Sequence, residues 1–195
     1  KLEDLLVFDV ELAGEQGELR LDTDKFMLHL TPIFADPWHY LKANARLTWR
    51  LDSEGFTLVA PYLKVLGDEG RIAGDFLIRL LFDDAREDYM DLRVGLVDGD
   101  GRYTAKYLPE VLSPALDHWL RTAILKGAVD EGYFQYQGSL HHGATPESRS
   151  ISLFFKVHDA ELDFQPGWPH VSKVDGDVFI EDTGVRVKAR SGQLL

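Results

Sequence analysis

The feature that most constrains this chain is a period of two in its apolar residues. From Arg71 to Phe82 the even positions read Ile72, Gly74, Phe76, Ile78, Leu80 and Phe82, while Arg71, Asp75 and Arg79 fall on odd ones. Met90, Leu92, Val94 and Leu96 alternate with Asp91 and Arg93. Phe134, Tyr136 and Leu140 alternate with Gln135 and Gln137, and Ile151, Leu153, Phe155 and Val157 with Lys156 and His158. Leu5 to Leu12, Ala45 to Leu51 and Val174 to Ile180 behave similarly. Successive side chains of a strand point to opposite faces, so strict alternation predicts strands with one apolar and one wet face. About ten such strands are expected.

Asp52-Ser53-Glu54-Gly55, Asp98-Gly99-Asp100-Gly101 and Asp182-Thr183-Gly184 separate alternating runs. Gly and Asp tolerate positive φ, so these read as tight hairpin turns. Strands joined by tight turns form an antiparallel meander, and no helix alternates with strand as a parallel fold requires. One stretch breaks the period. Leu116, Trp119, Leu120, Ala123 and Ile124 follow helical spacing, with Ser113 as N-cap, Pro114 at the first turn and Gly127 as the stop. A single amphipathic helix over about 114–126 is expected, inside an insert at about 105–128.

Composition narrows the function. The chain has 195 residues, enough for a core, and a formal charge of -12. Phosphate backbones repel such a chain, which argues against a nucleic-acid partner. With no Cys there are no disulfides, thiolate metal sites or Cys nucleophiles. No apolar run approaches the ~20 residues of a membrane span, and no signal peptide opens the chain. Both ends read as cut from something longer.

The chain also repeats itself. Leu28-His29-Leu30-Thr31-Pro32-Ile33-Phe34 resembles Leu162-Asp163-Phe164-Gln165-Pro166-Gly167-Trp168. Each copy leads to an alternating strand, an acidic turn ending in Gly (Gly55, Gly184) and a further strand. This predicts β repeats at about 17–67 and 150–195 within one elongated β-rich segment spanning 1–195.

Catalytic chemistry finds little support. The seven His make no metal-binding spacing, and His141-His142 reads as a solvated loop. Asp98-Gly99-Asp100 echoes a calcium loop, but the closing position is Pro109 rather than Glu. The acidic run between Asp83 and Asp91 reads as a solvated loop, with a cation site as the alternative. No Gly-x-Ser-x-Gly and no phosphate-cradling loop is present. No catalytic residue, metal or cofactor is expected.

Two stretches are less generic. Tyr107-Leu108-Pro109-Glu110-Val111-Leu112-Ser113-Pro114-Ala115-Leu116-Asp117-His118-Trp119-Leu120, followed by Lys126-Gly127-Ala128-Val129, resembles the YhdP family of Gram-negative bacteria. Val157-His158-Asp159-Ala160-Glu161-Leu162-Asp163-Phe164-Gln165-Pro166-Gly167-Trp168-Pro169 is similar to a second stretch of the same family. Pro109, Ser113, Pro114, Trp119, Pro166 and Trp168 carry these motifs. The resemblance implies an AsmA-like periplasmic body tethered to the inner membrane by a helix outside this segment. It implies an elongated, curved antiparallel sheet whose hydrophobic groove carries phospholipid between inner and outer membranes. The groove lining would then be Phe76, Ile78, Leu80, Phe82, Met90, Leu92, Val94, Leu96, Phe134, Tyr136, Leu153 and Phe155. The implied partners are phospholipid acyl chains, the remaining segments of the full-length protein and other envelope proteins.

Three readings compete. An ordinary sandwich core would use the same apolar stripe, but bury it. A carbohydrate-binding or glycan-processing domain would place Trp and Tyr on the wet face. A structural scaffold for outer-membrane assembly would share the fold and bind neither lipid nor glycan.

Overall fold

The computed structural model describes residues 15–28, 36–107, 118, 121–141, 144–163, 167, 169–182 and 184–194. They form a single open, curved antiparallel sheet of nine strands in strict sequence order. The strands are β1 (Gln16–Leu28), β2 (Trp38–Leu51), β3 (Gly55–Gly67), β4 (Gly70–Leu81), β5 (Tyr89–Asp100), β6 (Ile124–Ser139), β7 (Arg149–Leu162), β8 (Val171–Glu181) and β9 (Gly184–Leu194). At 11 to 16 residues each is long for a strand.

Two hairpins show why the chain turns where it does. At Asp52 the carboxylate accepts the backbone N–H groups of Glu54 and Gly55, each at 3.0 Å, which closes the β2–β3 turn. At the β8–β9 end Glu181 pairs with Gly184, and Asp182 takes a positive φ of 49°. Asp98-Gly99-Asp100-Gly101 departs from the hairpin expected there. Asp98 does adopt a positive φ of 53°, but β5 runs on through Asp100, which pairs with Ala128. A 3-10 helix, Gly101–Tyr107, follows instead of a returning strand.

The helix expected at 114–126 ends early. His118 and residues 121–123 are helical, with the Thr122 hydroxyl donating to the His118 carbonyl at 2.8 Å. Ile124, Leu125 and Lys126 already belong to β6, where ladder pairing with β7 overrides the apolar spacing that reads as helix. The sheet therefore claims the last part of the insert expected at 105–128. Residues 114–117, 119 and 120, and with them Trp119, lie outside the described residues, as do Pro109, Ser113, Leu5 to Leu12, Pro166 and Trp168.

The two stretches expected to repeat occupy β1–β2–β3 and β7–β8–β9. The buried cluster lies in the first of these, where Phe26, Tyr40, Ala43 and Val65 pack with Leu21, Leu28, Trp38, Leu63 and Ile72. The 3-10 segment straps this end of the sheet. The Trp38 indole N–H donates to the Lys106 carbonyl at 3.1 Å, and the Tyr107 and Tyr40 hydroxyls are 3.3 Å apart.

Candidate functional site: the apolar face of the sheet

In an antiparallel ladder, directly paired residues share a face. Leu21 pairs with Ala45, Ala45 with Leu63, Leu63 with Gly74 and Gly74 with Val94. Val94 pairs with Phe134, Phe134 with Leu153 and Leu153 with Ile180, whose partner on β9 is Val185. This row crosses all nine strands without a charged or hydrogen-bonding side chain. A parallel row runs Ala43, Val65, Ile72, Leu96, Gly132, Phe155, Val178 and Val187. A shorter one joins Ala60, Phe76, Leu92, Tyr136 and Ile151.

The opposite face carries the charged and polar rows, with the Val59–Leu77 pair and the Tyr133–Phe154–Phe179 row between them. Asp75, Arg93, Gln135, Ser152 and Glu181 form one of its rows. Arg93 donates to Asp75 at 2.6 Å from Nη2 and 2.9 Å from Nε. Glu131, Lys156, Asp177 and Lys188 form another. This contrast is what the period of two encodes.

An apolar face normally acquires a second layer that buries it. Among the described residues none forms such a layer over the middle of the sheet. Phe76, Ile78, Leu80, Met90, Leu92, Val94, Leu96, Phe134, Tyr136, Leu153 and Phe155 are all half-buried, and none reaches the burial of a core residue. Phe82 differs from the rest. It stands just past the end of β4, 61% exposed, with its N–H donating to the Glu54 carbonyl. Apart from short connections between strands, the described residues outside the sheet are the 101–107 strap, a 3-10 turn at Pro146–Ser148 and helical residues at 118 and 121–123. Burial concentrates on β2 and β3 instead, at Tyr40, Ala43, Ala45, Phe56, Leu58, Ala60 and Val65.

At the strapped end lies a polar cluster with no local signature in the sequence. The Glu69 carboxylate, 3% exposed, accepts from Lys106 Nζ at 2.6 Å and from the Tyr107 hydroxyl. Lys106 Nζ also stands 5.1 Å from the centre of the Tyr40 ring. Burial pushes the Glu69 carboxyl up, but the hydrogen bonds from Lys106 and Tyr107 outweigh it and hold the group below its ordinary value. Burial raises both the Tyr40 and Tyr107 hydroxyls, so all three groups keep fixed protonation at neutral pH.

On the polar face, Tyr133, Phe154 and Phe179 stack across strands, with ring centres 6.1 and 5.0 Å apart. The first pair is stacked and the second tilted, Tyr133 stays 57% exposed, and Lys188 Nζ stands 5.3 Å from the centre of the Phe179 ring. Among the described residues no group of three or more His, Asp or Glu could hold a metal ion, and no helix is long and apolar enough to cross a membrane.

The geometry defines a class: an open β-sheet presenting an uncharged apolar face along its strand-stacking direction. The chain belongs to the YhdP protein family, whose sequence model matches residues 4–195. It is similar to the intermembrane phospholipid transporter YhdP of Escherichia coli strain K12, at 24% identity over 180 residues. That match covers 90% of this chain but 14% of the relative, so the chain spans about a seventh of its length. No solved structure matches.

Proposed function

We propose that this chain carries phospholipid acyl chains along its apolar face. On this reading it is a stretch of the periplasmic body of an inner-membrane-tethered protein that moves phospholipid between the two membranes. The observation that carries the proposal is the uncharged row crossing nine strands, half-buried from Leu63 on β3 to Ile180 on β8. Eight strand spacings of about 4.8 Å make a path of about 38 Å. Each methylene removed from water along it contributes about 0.8 kcal/mol. The rows repeat the same contact from strand to strand, so a chain can slide without a fixed seat, and such transport needs no catalytic group. The segments 17–67 and 150–195 would be equivalent units of the path, and the edge strands β1 and β9 would meet further segments of the same polypeptide. Other envelope proteins would be secondary partners. A glycan-binding reading would rest on the aromatics of the other face, where Tyr133 is 57% exposed but Phe154 lies between Tyr133 and Phe179.

The test is Leu92→Asp in the full-length protein, scored for abundance, co-purified phospholipid and complementation of a strain lacking the native protein. A carboxylate on an open face reaches water, so the protein should persist at normal levels while lipid and complementation are lost. Disappearance by proteolysis would mark Leu92 as ordinary core, because a buried unpaired charge costs several kcal/mol. Normal abundance with full complementation would show that lipid does not use this face.

A further inference from the structure

One cation stands on the apolar face. Arg149 opens β7 in phase with Ile151, Leu153 and Phe155, and it pairs with Gly138, which itself pairs with Met90. Gly138 has a φ of 132°, and a Cβ there would lie 2.5 Å from the Arg149 Cα. The missing side chain leaves the Arg149 stem free to cross β6 toward Tyr136. The Tyr136 hydroxyl gives its proton to the Ser139 carbonyl, and the Arg149 charge acts on the hydroxyl oxygen. Burial raises the Tyr136 hydroxyl while the Arg149 charge opposes it, so the guanidinium faces a neutral oxygen.

Among the described residues no carboxylate compensates the charge, although the chain has 33 acidic residues. Nine other arginines (20, 46, 50, 71, 79, 86, 93, 102 and 190) each stand within ion-pair distance of a carboxylate. Arg149 has no such partner among the described residues. Two carboxylates near this end of the sheet are engaged elsewhere. Asp88 accepts the Leu81 N–H at 2.7 Å, and Asp182 accepts the Ile151 N–H at 2.9 Å. A guanidinium offers a planar fork that fits phosphate oxygens, and it is half-buried here at the margin of the apolar rows.

We propose that Arg149 reads the phosphate of a phospholipid headgroup while the acyl chain lies over Met90, Leu92 and Ile151. This rests on the lipid-carrying reading above and adds selectivity to it: phosphate-bearing lipids are retained over neutral lipids with the same tails.

The test uses the full-length chain with two probes of matched tails, dioleoyl phosphatidylethanolamine and dioleoylglycerol, delivered from the same detergent micelle and counted by native mass spectrometry. The wild type should retain the phospholipid about tenfold over dioleoylglycerol, the size of one charge-assisted hydrogen bond. Arg149→Gln should bring the ratio close to one without lowering dioleoylglycerol uptake. Arg149→Lys keeps the charge without the fork and should give an intermediate ratio; it carries the test alone if Arg149→Gln does not fold. A ratio unmoved by either substitution overturns the inference. So does inorganic phosphate bound as tightly as the phospholipid and lost in the same variants, which would make this a free-phosphate site. Retention of neither lipid would overturn the groove reading itself.

Discussion

Gly132 on β6 lies directly opposite Phe155 on β7, and the phenyl ring fills the space its absent side chain leaves. A Cβ at position 132 would stand 2.8 Å from Phe155 Cδ1 and 3.1 Å from Cε1. The ring cannot yield without leaving its place in the row, so Gly132→Ala should strain the contact by about 1–3 kcal/mol. The lower backbone entropy of Ala returns about 0.5–1 kcal/mol. A net loss of about 1 kcal/mol is expected, read as a lower urea midpoint at unchanged slope. An unchanged or higher midpoint would mean that Phe155 does not rest on Gly132.

The same pair of strands shows what the sequence makes legible. Phe134, Tyr136, Leu153 and Phe155 can be assigned to one face from spacing alone, because β5, β6 and β7 alternate cleanly in the stretch between their ends. Longer strands are hidden wherever a bulge changes the phase. The runs Ala45–Leu51 and Phe56–Ala60 are visible, yet β2 and β3 extend over Trp38–Leu51 and Gly55–Gly67. Register shifts between Arg46 and Thr48 and between Ala60 and Leu63 break the alternation, and Pro61 reads locally as a strand breaker. The Glu69–Lys106 contact spans 37 residues and leaves no local trace. Arg149 reads as a polar residue at a strand start, and only the ladder through Gly138 reveals that it shares a face with Met90.

Glu69 and Lys106 form a pair whose disruption should be costlier than its replacement. Glu69→Gln leaves the Lys106 ammonium beside a neutral amide at a nearly closed site, and breaking such a pair costs about 3 kcal/mol. The double variant Glu69→Leu with Lys106→Met removes both charges at similar volume and should recover most of that loss. Urea denaturation of the wild type, Glu69→Leu, Lys106→Met and the double variant measures this. Additive losses would show that the two groups do not interact.

Asp52 gives the fold an acid-sensitive hinge. The Arg79 guanidinium, donating at 3.0 and 3.1 Å, and the N–H groups of Glu54 and Gly55 together hold its carboxyl down at about 2, against 3.8 ordinarily. A depressed folded value means the contribution is present above about 3.8 and is lost as pH falls toward 2. Asp52→Asn should therefore melt below the wild type at neutral pH, with the gap closing between pH 4 and pH 2. Melting curves across that range check it. A gap that stays constant would mean that the Arg79 contact adds nothing specific to the ionised form.

Phe154 and Phe155 are neighbours in sequence on opposite faces of the sheet, so they separate stability from lipid handling. Phe154 stacks between Tyr133 and Phe179 on the polar face. Phe154→Ala removes two aromatic contacts worth about 0.5–1.5 kcal/mol each beyond their area. It should lower the melting temperature while the lipid retained per folded protein stays unchanged. Phe155→Leu keeps an apolar side chain of nearly the same reach but no ring over Gly132, and a conservative apolar swap of this kind costs less than about 1.5 kcal/mol. Its effect should appear in lipid retention, because the floor of the apolar row changes shape where Phe134, Leu153 and Val178 meet it. Both variants are compared as full-length protein, by thermal melting and by co-purified phospholipid counted per folded chain. If Phe154→Ala loses lipid in proportion to its loss of folded protein and Phe155→Leu loses none, lipid does not touch the face that carries Phe155.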